Sequence, residues 1–164
     1  SSFACDLKKW LQIMETYEGG GHIYHTTMPT DALTKCLEAM EETRAGGFAY
    51  LKAQQVELGR RVRELMVRRG FPSVAAEGFQ APGVVVSYTT DPEIQSAKKF
   101  IAQGLQTASG VPLQCDEPAE FRSFRIGLFG LEKLHHIDRS VAALEAALDR
   151  IQSPSAQPAQ AVSA

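Results

Sequence analysis

Apolar positions recur at helical spacing over several stretches of the 164-residue chain. Leu7, Trp10, Leu11 and Met14 fall three or four apart behind Asp6, a capping residue, and predict a helix from Asp6 to about Glu15. Gly19-Gly20-Gly21 breaks it, and Ile23 to Pro29 is polar, aromatic and too irregular to predict a strand. Leu33, Leu37 and Met40 predict a second helix, capped by Thr30 or Asp31 and ended by Gly46-Gly47. A long helix follows, with Phe48, Leu51, Leu58, Val62, Leu65 and Met66 on one face. Gln55 occupies the slot in that stripe where an apolar side chain is expected. Gly70 stops the helix and Pro72 prevents its continuation.

Val84-Val85-Val86-Ser87-Tyr88 is β-branched, bounded by Pro82-Gly83 and Asp91-Pro92, and predicts a strand. Asp91 or Pro92 opens a further helix with Ile94, Ala97, Ile101, Leu105 and Ala108 facing inward. A short strand is expected from Val111 to Cys115 and a firmer one from Phe121 to Leu128, where residues alternate between two faces. Ile137, Val141, Leu144, Leu148 and Ile151 form a clean helical stripe at gaps of 4, 3, 4 and 3. The uncharged segment Gln152 to Ala164 has the composition of a disordered tail. The expected fold is α+β (α/β-like), with a small antiparallel-to-mixed sheet of three to four strands covered by helices.

Composition bounds the function. The chain suits one domain with an ordinary core. Its 17 basic and 19 acidic residues give a net charge of −2, which offers no global attraction to nucleic acid or to an anionic membrane. No run approaches the ~18 apolar residues of a membrane span, and no secretory leader opens the chain. Cys5, Cys36 and Cys115 cannot all pair, which points to free, buried thiols in a reducing, cytoplasmic compartment. The first residue is Ser rather than Met, so the N-terminus reads as an artificial or processing boundary.

Most candidate chemistry reduces to ordinary structure. Arg60, Arg61, Arg63, Arg68 and Arg69 crowd the end of the long helix, where the helix dipole favours cations. Glu57 and Glu64 stand four residues before Arg61 and Arg68, so a solvated face outweighs a nucleic-acid stripe. His22 and His25 form one short ligand pair, Cys115-Asp116-Glu117 adds ligand types, and His135-His136 faces solvent; none makes a metal site. Cys36 sits beside an apolar stripe and reads as core rather than nucleophile.

Two segments hold more chemistry. After the glycine run, Tyr24, His25, Thr26 and Thr27 offer three hydroxyls and an imidazole near a helix start, which suits a phosphate as well as a plain loop. Arg125 lies in the alternating run Phe121 to Leu128, on the face opposite Phe124, Ile126 and Leu128 and shared with Ser123 and Gly127. A strand-held guanidinium beside a glycine leaves room for a carboxylate, and its fork matches one bidentately; pairing with a nearby Asp or Glu is an equal reading.

The order and spacing of Leu7-Lys8-Lys9-Trp10, Tyr24-His25-Thr26-Thr27-Met28-Pro29 and Phe124-Arg125-Ile126-Gly127-Leu128-Phe129-Gly130 resemble the class V pyridoxal-phosphate-dependent aminotransferases. The likeness is to the C-terminal region of the alanine–glyoxylate and serine–glyoxylate branch, from about Phe3 to Ile151. It implies that Tyr24 and Thr27 bind the cofactor phosphate of the neighbouring subunit of a homodimer. It also implies that Arg125 grips the α-carboxylate of the amino acid and 2-oxo acid substrates. By the same likeness, residues 1–29 belong with the large domain, 30–151 form the small domain and 152–164 the tail. The Schiff-base lysine of the family lies upstream, and none of Lys8, Lys9, Lys35, Lys52, Lys98, Lys99 or Lys133 stands in its serine-x-lysine context. The resemblance therefore assigns no catalytic residue here, and the chain alone is expected to be inactive without its N-terminal cofactor domain. A non-catalytic binding module on the same fold is one alternative. Another class V chemistry, 2-aminoethylphosphonate transamination or cysteine desulfuration at Cys115, is a second.

Overall fold

The computed structural model describes residues 5–25, 27 and 29–153. The described chain divides into two compact units, residues 1–42 and 43–164, and the division falls inside a helix.

In the first unit, α1 (Leu7–Glu18) starts as the sequence predicts, with the Asp6 carboxylate accepting from the Lys9 amide at 3.0 Å. Gly20 takes a positive φ of 79° at its end, a left-handed conformation that glycine adopts without steric cost. The apolar stripe of α1 is not a core face within this unit: Leu7, Leu11 and Met14 are exposed, and Ile13 is the buried residue. α2 (Thr30–Gly46) begins at Thr30, so Thr30 and Asp31 lie inside its first turn rather than capping it. Its stripe of Leu33, Leu37 and Met40 is exposed as well.

The second unit holds the core. α3 (Phe48–Arg68) buries Leu51, Leu58, Gly59, Val62, Leu65 and Met66. Gly70 follows with a φ of 83°, and the Phe71 amide reaches back to the Met66 carbonyl at 2.9 Å, closing the helix as expected. Three strands form an antiparallel sheet in the order β1 (Val84–Tyr88), β3 (Ser123–Gly127), β2 (Ala108–Ser109). Val85 pairs with Ile126 and Ser87 with Phe124, so these four share the face that looks into the helices. Phe124 is fully buried between the rings of Phe71 and Phe100, each 5.4 Å away between centroids. α7 (Ile137–Gln152) closes the core with Ile137, Val141, Leu144, Ala147 and Leu148. The α+β class and the small helix-covered sheet thus match the expectation.

Several local expectations fail. The single helix after Asp91 is two short ones, α4 (Pro92–Gln95) and α5 (Lys98–Ala102), separated by Ala97 in the left-handed region at φ 64°. The break turns Phe100 into the core and Ile101 out to solvent, and it leaves Ala108 in β2. Asp91 does cap α4, accepting from Glu93 and Ile94. Residues 111–115 are not a strand; the sheet partner is the shorter segment before them. A short α6 (Leu131–His135), not expected from the sequence, precedes α7. Gln152 belongs to α7 and donates to the Arg69 carbonyl at 2.8 Å, and the rest of the proposed tail beyond Ser153 lies outside the described residues. All three cysteines are exposed, not buried.

The arginine cluster is held differently from its expected i,i+4 pairs. Arg60 takes both Glu57 at 2.7 Å and Glu64 at 2.5 Å, while Arg61 reaches Asp138 at 2.6 Å and Arg69 reaches Asp149 at 2.6 Å. The last two tie α3 to α7, although such exposed pairs are each worth about 0–1 kcal/mol. Among the described residues Arg63 forms no ion pair. It donates to the carbonyls of Ala81 and Val84, and partial burial lowers its pKa from the ordinary value.

Gln55 and Gly59 complete this contact with the segment before β1. Gln55 Nε2 donates to the Pro82 carbonyl at 3.0 Å, and a Cβ on Gly59 would stand 2.5 Å from that same oxygen. In a helix interior Gly→Ala is ordinarily worth about 1 kcal/mol of stabilisation. At Gly59 the overlap with backbone dominates, and Gly59→Ala is predicted to lower stability by about 1–3 kcal/mol in urea unfolding. A midpoint that stays the same or rises would show that the Pro82 segment yields without cost.

Candidate functional site

The described parts of the three sequence-predicted site residues fall in the two separate units. Tyr24 and Thr27 belong to the first and Arg125 to the second.

In the first unit the segment after α1 folds back onto the helix that precedes it. The Gly21 amide bonds the Thr16 carbonyl at 3.0 Å, and Tyr17 Oη donates to the Ile23 carbonyl at 3.5 Å. The Trp10 and His25 rings meet edge to face at 4.9 Å. With Ile23 and His25 anchored, Tyr24 projects into solvent at 82% exposure. Its hydroxyl lies 3.4 Å from Thr27 Oγ1. The two hydroxyls can therefore donate to oxygens of a single phosphate, so these residues fit such a group chemically. Thr26 and Met28 of the same segment lie outside the described residues.

In the second unit Arg125 sits at the centre of the central strand, opposite Val86 on β1 and Ala108 on β2. The alternation reads as expected, because Ser123 and Gly127 share its face while Phe124 and Ile126 point into the core. Arg125 Nε donates to the Ser109 carbonyl at 3.0 Å. Among the described residues no hydrogen bond or ion pair engages its Nη groups, so the pairing with a nearby Asp or Glu is not found. Ser109 is held in place by its neighbour: a Cβ on Gly110 would stand 2.0 Å from the Ser123 carbonyl, so only glycine lets β2 come this close. The room expected over Gly127 is filled. A Cβ there would meet Phe129 at 3.1 Å, and the same ring covers Gly83 at 3.2 Å. At the other end Tyr88, which pairs with Ser123, packs edge to face on Phe121 at 5.6 Å. Arg125 thus lies between an aromatic ring at one end of the sheet face and an aromatic pair at the other. Ser109 was not singled out in the sequence, and Phe129 stood in the Phe124–Gly130 run without a role, because neither contact follows from alternation or helical spacing.

Cys115 is exposed on the rim of an open cleft of about 790 Å³ that Tyr88, Asp91 and Arg122 also line. Its loop is tied down by Glu117, whose carboxylate accepts from the amides of Leu113 at 2.5 Å, Gln114 at 2.9 Å and Cys115 at 2.8 Å. Positive φ angles at Gln114 (59°) and Asp116 (63°) wrap the backbone around the carboxylate. His135 and His136 are exposed as expected, and His135 stacks on Tyr50 with centroids 6.5 Å apart. No group of three metal-ligating side chains converges among the described residues, and no described helix is long and apolar enough to cross a membrane.

The fold and these sites together define a small α+β domain whose sheet presents an arginine on the face opposite its helices. Among solved structures, the chain is similar to the alanine–glyoxylate aminotransferase from Nostoc sp., with a TM-score of 0.64 at 17% identity over 84% of this chain. The chain spans 36% of the length of that protein, and the likeness is one of fold. No family model matches the chain, and no curated protein does.

The Glu117 loop makes a pH prediction. The backbone amides of Cys115, Gln114, Glu117 itself and Leu113 hold its carboxyl down at about 2, the Cys115 hydrogen bond contributing most. A depressed folded-state pKa contributes stability above the ordinary carboxylate range and loses it as pH falls towards the folded value. The Leu113, Gln114 and Cys115 amide resonances should therefore shift together with a midpoint near 2, and Glu117→Gln should abolish that transition. A midpoint in the ordinary carboxylate range would show that the wrap does not persist in solution.

Proposed function

We propose that the chain is the C-terminal part of a pyridoxal-phosphate-dependent aminotransferase of class V. The enzyme would move an amino group from an alanine- or serine-type donor to a 2-oxo acid such as glyoxylate or pyruvate. The observation that carries this reading is Arg125, tethered through Nε on the central strand with both Nη groups unengaged among the described residues. The aminotransferase-like fold supports it. In this reading residues 30–151 are the small domain, residues 1–29 belong with a cofactor domain outside this chain, and the enzyme is a cytoplasmic homodimer.

Each residue has a definite task. The Nη fork of Arg125 binds the α-carboxylate common to both substrates, so amino acid and oxo acid present the reacting carbon in the same orientation. Tyr24 and Thr27 donate to the cofactor phosphate of the neighbouring subunit, and the Trp10–His25 contact steadies their segment. The cofactor, when bound, supplies the electron sink for amino transfer and is carried by a lysine outside this chain. Nothing in these residues selects the donor side chain.

In the intact enzyme that this reading requires, Arg125→Ala should lower kcat/KM for both the amino acid and the oxo acid by ~100-fold, equivalent to about 3 kcal/mol. Arg125→Lys should restore only part, since an ammonium lacks the planar fork. Tyr24→Phe combined with Thr27→Val should weaken cofactor retention by ~10-fold without a matching loss of carboxylate affinity. Unchanged kcat/KM in Arg125→Ala would overturn the carboxylate assignment, whereas an intact protein without any transaminase activity would favour a non-catalytic module on this fold.

A further inference from the structure

The face of the sheet opposite Arg125 holds a second site, independent of the aminotransferase reading. A cavity of about 360 Å³ opens between α3, the end of β3 and the α6–α7 segment. Its floor includes Leu58, Val62, Ile126, Leu128 and Leu144, each at 7% exposure or less, and its mouth opens to solvent beside the exposed Glu132, Arg139 and Ala143. That volume lies near the lower end of small-molecule pockets, which run from about 300 to 1,000 Å³.

Two polar features distinguish it from a packing defect. Thr107 lines the cavity, and its hydroxyl is buried without a hydrogen-bond partner among the described residues. A buried hydroxyl without a partner is costly, and rotation about χ1 can offer it to a ligand oxygen. The lining also carries charge. Lys133 donates from Nζ to the Phe129 carbonyl at 2.7 Å, and Arg139 pairs with Glu132, so two cations face one carboxylate. Apolar walls, an unsatisfied hydroxyl and an excess of positive charge are complementary to an amphiphile with a short apolar tail and an anionic head.

We infer that this cavity binds a small aliphatic monocarboxylate, its tail against Leu58, Val62 and Leu144 and its head at Lys133 and Thr107. Because Ile126 and Arg125 are adjacent on β3 and point to opposite faces, the site is distinct from the carboxylate clamp on the other side.

The test titrates the 164-residue chain with octanoate, following backbone amides by NMR, with 1-octanol as the uncharged control. Saturable shifts centred on Ile126, Leu128 and Leu144 are expected, with octanol at least fivefold weaker. Ala143→Phe at the exposed rim should weaken octanoate at least tenfold by plugging the opening. Lys133→Glu, which leaves the core untouched, should weaken octanoate by a similar factor and octanol little, so the inference stays testable if the first variant does not fold. Arg125→Ala should leave octanoate affinity within twofold. Absence of saturable shifts, equal affinity for the alcohol, or octanoate affinity unchanged in Lys133→Glu would each overturn the inference. Loss of binding in Arg125→Ala would place the anion on the other sheet face and overturn it as well.

Discussion

The second unit depends on one contact between α3 and the chain that leads into β1. Gln55, Gly59 and Arg63 stand four residues apart on one stripe of α3, and each meets residues 81–84. The glycine lets the Pro82 backbone rest on the helix, while the two polar side chains satisfy the carbonyls that this approach takes from water. Arg63 serves here as a hydrogen-bond donor to backbone, and its burial is the cost of that role. Once the Pro82 segment is seated, Val84 starts β1 in a fixed position, and the ladder to β3 places every residue of the central strand.

That contact was only partly visible in the sequence. Gln55 stood out as a polar residue in an apolar stripe, but Arg63 looked like one member of a solvated arginine cluster. Residue type and local spacing do not reveal which of five arginines will turn towards carbonyls eighteen and more positions away. Elements whose packing follows one strict period were legible, as α7 and β1 show. The stretch from Ile94 to Ala108 was not, because its helical spacing continues through Ala97, where a single left-handed residue redirects the chain. Exposed stripes on α1 and α2 show a different gap: periodicity states that a face is apolar, not what covers it.

The candidate site was legible to the same depth. Alternation was enough to put Arg125 on the face away from Phe124 and Ile126, and the sequence grouped the Tyr24 and Thr27 hydroxyls within four residues without fixing their distance. What surrounds Arg125 comes from distant segments and could not be read locally. The Ser109 carbonyl arrives on β2, Gly110 permits its approach, and Phe129 returns over Gly127 and Gly83. The glycine of the Arg-Ile-Gly run therefore makes space for a protein ring, not for a ligand.

This environment determines which edge of the guanidinium is offered. A free arginine can meet a carboxylate through Nε and one Nη or through both Nη groups. With Nε committed to Ser109, only the terminal pair is left, so the fork points along the side chain and away from the strand. The anchoring bond also restricts the rotamers of a long side chain, which lowers the entropy lost when an anion binds. Register protects the arrangement: a slip of one residue would drive Arg125 into the core and Phe124 into solvent. The Phe124 ring packed between Phe71 and Phe100, and the Gly110–Ser123 approach across β2, both oppose that slip. The apolar side of β3 is thus what makes its single guanidinium a precise group.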